Sequence, residues 1–190
     1  LVEAALAFKS IKVRKISVLD LGTGSGCLLL ALLSELPNAK GLGIDISPAA
    51  LDVAKGNARH LGMEDRACFQ VSDWDEDVDG LFNLVISNPP YVSNGDYFSL
   101  ENEITDFEPK LALMGGSDGM DCYRSLSPAI VRKLAPGGRA LIEIGENQAE
   151  TVGSVLGKSG LRVCTIHQDL AGCPRVIEAE LKKISTMMNN

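Results

Sequence analysis

The chain has 190 residues, 45% hydrophobic and 23% charged, with a formal net charge of −7. That suits one globular domain with a sizeable core; no apolar run approaches the ~20 residues needed to cross a bilayer, and the acidic balance argues against a broad electrostatic grip on nucleic acid. The five cysteines never form C-x-x-C and the two histidines sit in no ligand-like cluster, which leaves zinc without donors and fits a reducing compartment. No secretory pattern is present, so the expected location is the cytoplasm, or an organelle in a eukaryote. The first residue is Leu1 rather than Met, which suggests a start inside a longer protein.

Apolar strands alternate with amphipathic helices along most of the chain. "KISVLDL" (Lys15–Leu21) reads as a strand, "GTGSG" as a turn, and Cys27–Leu36 as a helix stopped at Pro37. "AKGLGIDI" (Ala39–Ile46) is a second strand. The next helix starts with Ser47 at its N-cap and Pro48 at N1, and ends near Gly62. "ACFQVSDW" (Ala67–Trp74) and "LFNLVIS" (Leu81–Ser87) are strands three and four. Ser93–Gly119 is polar and Gly-rich, without a clear period. A helix near Tyr123–Leu134, the turn "APGG", the strand "RALIEIG" (Arg139–Gly145) and a helix over Asn147–Ser159 follow. "LRVCTIHQ" (Leu161–Gln168) and "VIEAEL" (Val176–Leu181) have no helix between them and should pair antiparallel. The expected fold is α/β: a doubly wound, mostly parallel seven-stranded sheet with helices on both faces and a C-terminal antiparallel hairpin. One domain is expected over residues 1–182, with a flexible tail over 183–190. Cys122 and Cys164 read as core residues.

Ligands of such sheets bind beyond the carboxyl ends of the strands, at the switch point. The unusual residues gather at those ends. Gly22, Thr23, Gly24, Ser25 and Gly26 follow strand one and open a helix, where glycines let the backbone approach a ligand. A dinucleotide loop wants G-x-G-x-x-G; here Gly26 comes one residue early and Cys27 takes the expected place, which disfavours NAD. A tight turn with no ligand is the plain alternative. Asp45 ends strand two, where a carboxylate can accept from a ribose diol; its plain alternative, a helix cap, is already supplied by Ser47. Asp73 can accept from an adenine amine, and Trp74, the only tryptophan, can pack on its face; a lone tryptophan is otherwise a core residue.

Strand four ends in Asn88-Pro89-Pro90-Tyr91. Two adjacent prolines remove two backbone donors and forbid helix, and each restricts the residue before it. The result is a rigid corner rich in acceptors. No His or Cys stands near it.

Together the glycine loop, Asp45 and Asp73–Trp74 resemble the S-adenosylmethionine site of class I methyltransferases, over essentially the whole chain. The resemblance implies S-adenosyl-L-methionine as cofactor and S-adenosyl-L-homocysteine as product: loop to methionine, Asp45 to ribose, Asp73 and Trp74 to adenine. The corner resembles the (N/D)PP(Y/F) motif of methyltransferases that act on planar nitrogens. That implies that the Asn88 side chain and Pro89 carbonyl accept the two N–H groups of the substrate, with Pro90 and Tyr91 completing the substrate site and Asn88 also bordering the cofactor.

"FEPKLALMGGSDGMDCYRSL" (Phe107–Leu126) and "DLAGCPRVIEAEL" (Asp169–Leu181) resemble the HemK/PrmC family of protein-glutamine methyltransferases, and "LVEAAL" is similar to the segment that follows the linker from that family's helical N-terminal domain. The resemblance implies methylation of the glutamine amide in the Gly-Gly-Gln loop of peptide chain release factors, by a monomer with no membrane or nucleic-acid partner. The N-terminal substrate-gripping domain has no counterpart in this chain. Glu108-Pro109 and Gly115-Gly116 read as shaping the loop over the site, and Arg175 as bracing the final hairpin. The alternatives are an amino-methyltransferase of adenine or guanine in DNA or rRNA, a ribosomal-protein glutamine methyltransferase, and a non-catalytic cofactor-binding subunit.

Overall fold

The structure is a computed structural model that describes residues 1–7, 15–99 and 109–183. Phe107, Glu108 and most of the expected tail, 184–190, lie outside the described residues. The chain runs α1 (Val2–Leu6), β1 (Ser17–Leu21), α2 (Cys27–Glu35), β2 (Lys40–Asp45), α3 (Pro48–His60), β3 (Ala67–Val71), β4 (Phe82–Ser87), a 3-10 turn (Asp96–Ser99), α4 (Lys110–Leu113), α5 (Asp121–Lys133), β5 (Leu134–Glu143), α6 (Ala149–Ser159), β6 (Leu161–Gln168) and β7 (Pro174–Leu181). The seven strands form one sheet in the order β3-β2-β1-β4-β5-β7-β6. β1 to β5 pair in parallel, and β7 lies antiparallel to both β5 and β6.

Strand alternation divides the core between the two faces. Leu19, Leu21 and Val85 pack on one face with Tyr123, Leu126 and Ile130 of α5 and Val152 and Leu156 of α6. Val18, Leu84 and Ile86 pack on the other with Leu29, Leu32 and Leu33 of α2 and Ala58 of α3, beside α1. α3 begins as the sequence predicts: Ser47 Oγ accepts from the Ala50 N–H at 3.3 Å and Pro48 stands in the first turn. The winding reverses between β1 and β4, which places the carboxyl ends of β2, β1 and β4 side by side.

Several boundaries differ from the sequence reading. β3 stops at Val71, so Asp73 and Trp74 stand in the turn beyond it. β5 starts at Leu134, and residues Ala135–Gly138 bulge between the Phe82–Leu134 and Leu84–Arg139 pairs. The described residues of the Ser93–Gly119 stretch hold the 3-10 turn and α4, and the Gly115 N–H donates to the Val92 carbonyl at 2.8 Å. Cys122 and Cys164 are half-buried rather than core: Cys122 stands in the first turn of α5 and Cys164 on the edge strand β6. Among the described residues no helix is long and apolar enough to cross a membrane.

Candidate functional site

The glycine loop is shaped from below and from the side. Gly22 and Gly24 adopt φ of 72° and 56°, a region other residues rarely enter. A Cβ on either would meet no atom within 4 Å. Both therefore face open space, a cradle that a ligand can fill. The Thr23 N–H donates to the Ile44 carbonyl at 2.8 Å, and the Asn57 side chain donates to the Ser25 carbonyl at 2.9 Å. Asp45 closes the loop against β2. Its Oδ2 accepts from the Gly24 N–H at 2.8 Å and its Oδ1 from the Ser47 N–H at 2.9 Å. Each carboxylate oxygen keeps a lone pair for a further donor.

Asp20 lies beneath this loop, 1% exposed, and the sequence reading missed it. Its Oδ2 accepts from the Thr23 hydroxyl at 2.7 Å, and its Oδ1 is buried without a hydrogen-bond partner. Burial pushes its carboxyl up to about 7, against the Thr23 hydrogen bond and with help from the charge of Asp45. The available signal was a lone carboxylate inside the apolar strand "SVLDL".

The turn after β3 carries Asp73, exposed, and Trp74, half-buried against the core with φ of 50°. Such a φ is costly for a bulky residue, and neighbours hold it. The Ser72 hydroxyl donates to the Trp74 carbonyl at 3.2 Å. Asp75 turns inward, 7% exposed, and takes Arg132 in a two-pronged grip at 2.6 and 2.8 Å. That grip holds the Asp75 carboxyl below the usual range. The run "DWDEDVDG" concealed which of its acids is structural.

β4 ends at Ser87, whose hydroxyl donates to the Leu21 carbonyl at 2.8 Å and ties the strand end to β1. Asn88 follows, exposed, and among the described residues nothing hydrogen-bonds its side-chain amide. Pro89 is buried. Tyr91 is half-buried; burial raises its hydroxyl pKa, as does the carboxylate of Glu143, while Arg175 lowers it. Arg175 donates to the Ile144 carbonyl at 3.2 Å and to Asp169 Oδ2 at 3.3 and 3.4 Å. It therefore braces the hairpin, as the sequence suggested, and lies beside Tyr91 as well. The loop, Asp45 and Asn88 thus stand on three adjoining strands, while Asp73 and Trp74 stand after the edge strand β3.

A family described as "Methyltransferase domain" matches residues 12–182. The release factor glutamine methyltransferase of Rhodospirillum rubrum is 50% identical over 162 residues, which cover 85% of this chain and 50% of that protein. The protein of the same name from Cereibacter sphaeroides is 42% identical over 181 residues, 95% of this chain and 63% of that one. The chain thus spans 50% to 63% of the length of these relatives. Among solved structures, a ribosomal protein L11 methylase from Lactobacillus delbrueckii subsp. bulgaricus superposes with a TM-score of 0.66 at 22% identity, over 95% of this chain and 77% of that chain; at that identity the likeness is one of fold.

Proposed function

The chain belongs to the methyltransferase domain family, and from that premise we propose that it is the catalytic part of a release factor glutamine methyltransferase, working in the cytoplasm or an organelle. The observation that carries the reading is the Asn88 amide, uncommitted among the described residues, at the end of β4 and beside the loop after β1, where Gly22 and Gly24 face open space. The names of the relatives supply the substrate class.

S-adenosylmethionine, when bound, supplies an electrophilic methyl group on a sulfonium. The residues present fit it: the cradle faces open space, Asp45 has lone pairs to spare, and Trp74 offers part of its indole. In this assignment Gly22, Thr23, Gly24, Ser25 and Gly26 hold the methionine part, Asp45 the ribose, and Asp73 with Trp74 the adenine. The nucleophile is a poor one, because the amide lone pair is delocalised. Asn88 Oδ1 and the Pro89 carbonyl accept its two N–H hydrogens and fix the plane of the amide. Both are neutral acceptors on a stiff corner, so little reorganisation accompanies the growth of positive charge on nitrogen. As the N–C bond forms and the methyl–sulfur bond breaks, the nitrogen becomes acidic, and one of its two protons leaves to solvent. No strong base is required. The one-domain division, residues 1–182 with a short tail, belongs to the same proposal.

The test is incubation of the protein, at its natural length, with methyl-labelled S-adenosylmethionine and candidate release factors, with the label mapped by mass spectrometry. Label on the glutamine of the Gly-Gly-Gln loop is the expected result. Label on nucleic acid or a ribosomal protein, and none on any release factor, would overturn it.

A further inference from the structure

The far side of the Pro90–Tyr91 corner is enclosed by groups that the chemistry above does not use. Gln148, just before α6, is central. Its Nε2 donates to the Tyr91 carbonyl at 3.0 Å, and its Oε1 accepts from the Gly145 N–H at 2.9 Å. The hydroxyl of buried Tyr123 is shared between the Glu143 carbonyl at 3.0 Å and Gln148 Oε1 at 3.3 Å. One side chain therefore joins the corner, the end of β5 and α5. The other side of the same peptide is also held, since the Val92 N–H donates to the Leu113 carbonyl at 2.9 Å. The Tyr91–Val92 peptide plane is thus pinned at both its carbonyl and its N–H.

Three glycines make room for this packing. A Cβ on Gly119 would stand 2.5 Å from the Tyr91 carbonyl oxygen and 2.9 Å from Gln148 Nε2. On Gly115 it would stand 2.8 Å from the Pro90 carbonyl oxygen and 2.9 Å from Tyr91 Cα. On Gly145 it would stand 2.8 Å from Gln148 Oε1 and 3.0 Å from Tyr91 Cδ2. Two separate segments, around residues 115–119 and 145–148, have thus given up side chains at one place.

We propose that Gln148 is a positioning residue for methyl transfer: by pinning the Tyr91 carbonyl it completes the immobilisation of the corner, so that the Asn88 amide and the Pro89 carbonyl keep one orientation. The inference rests on the reading of the chain as a glutamine methyltransferase. Its physical basis is a count of free rotations. The two prolines fix their own φ, Ser87 anchors the entrance to the corner, and rotation on the exit side is what Gln148 and Leu113 remove. A misplacement of acceptors by ~1 Å costs ~10²-fold in rate when geometry carries the catalysis.

The experiment compares wild type with Gln148→Ala and Gln148→Glu. In single-turnover methylation of a release factor, Gln148→Ala should slow the chemical step by about ten- to a hundredfold. Release factor KM and S-adenosylhomocysteine affinity should stay within about threefold, the pattern of a loss confined to the transition state. Gln148→Glu keeps the acceptor for Gly145 but, when ionised, sets an anion against the Tyr91 carbonyl. Its rate relative to wild type should rise as pH falls and the carboxyl regains a donor. Amide hydrogen exchange at Gly145 and Val92, read without substrate, should quicken in Gln148→Ala. An unchanged chemical step, unchanged exchange, or a matching collapse of cofactor affinity would each overturn the proposal. Quickened exchange in a protein whose wild type methylates no release factor would instead overturn the functional reading and leave the pinned corner standing.

Discussion

Asp45 holds Gly24 across 21 residues of sequence, through a 2.8 Å hydrogen bond from the Gly24 N–H to Oδ2. The end of β2 therefore sets the shape of the loop after β1. Loss of the carboxylate removes this anchor together with the proposed ribose acceptor. Asp45→Ala should weaken S-adenosylhomocysteine binding by roughly ten- to a hundredfold, the effect of one or two charge-assisted hydrogen bonds. Calorimetry on folded variant protein checks it. Unchanged affinity would reject the ribose assignment.

Asn88 carries the sharpest chemical prediction. Asn88→Ala removes the proposed acceptor, whose value would grow as charge develops on nitrogen, so methyl transfer should fall on the order of 10²–10³-fold. Cofactor affinity should change far less, since the loop and Asp45 stand on other strands. Asn88→Asp keeps an acceptor oxygen and should retain more activity than the alanine variant. Transfer by Asn88→Ala within about threefold of wild type would reduce the corner to a turn.

The pair of Asp75 and Arg132 bears on stability. The Asp75 carboxyl is held below its ordinary range by the Arg132 guanidinium. A group depressed in this way stabilises the fold above the ordinary carboxylate pKa and ceases to as pH falls into the acid range. Arg132 is 59% exposed, which screens the pair. Asp75→Asn should therefore cost about 1–2 kcal/mol near neutrality. The gap from wild type should close below about pH 4. Urea unfolding at the two pH values measures it; a gap that stays constant would show that the ion pair is not its source.

Asp20 works in the opposite direction. Its carboxyl is raised to about 7 in the fold, from an unfolded value of 3.8. The folded chain therefore holds this proton more tightly than the unfolded chain does. The contribution is fully present below the unfolded value and is lost as pH rises through about 7. Wild type should lose stability between pH 5 and pH 8 more steeply than Asp20→Asn does. Thermal unfolding of both across that range decides the matter, and parallel curves would refute it.

Much of this was legible in the residues because several signals agreed. Ser47 and Pro48 mark the start of α3, short apolar runs mark β1 and β4, and the missing helix after Gln168 gives the antiparallel hairpin. The cradle and the corner announce themselves through glycine and proline, whose backbone behaviour is local. What stayed hidden depends on distant partners. Asp75 looks like the other acids of its run until burial separates it from them, and the role of Asp20 shows only once the Thr23 hydroxyl folds over it. Gln148 sits in the polar run "GENQAE", and only the fold brings it to Tyr91. β3 looked longer than it is, since Asp73 and Trp74 follow an apolar run but the chain turns at Ser72.

The placement of β7 bears on the order of assembly. This last strand lies between β5 and β6, and β6 reaches the sheet only through it. During synthesis, then, the nascent chain can pair β1 through β5 while β6 has no neighbour to dock against. The outer border of β5 waits unpaired, an open template for strands of other chains. Pairings that depend on a strand made after the other six form late, and such intermediates invite association. Messages cut short before Pro174 should therefore yield aggregates rather than a smaller working enzyme, even though every residue of the proposed site has already been made.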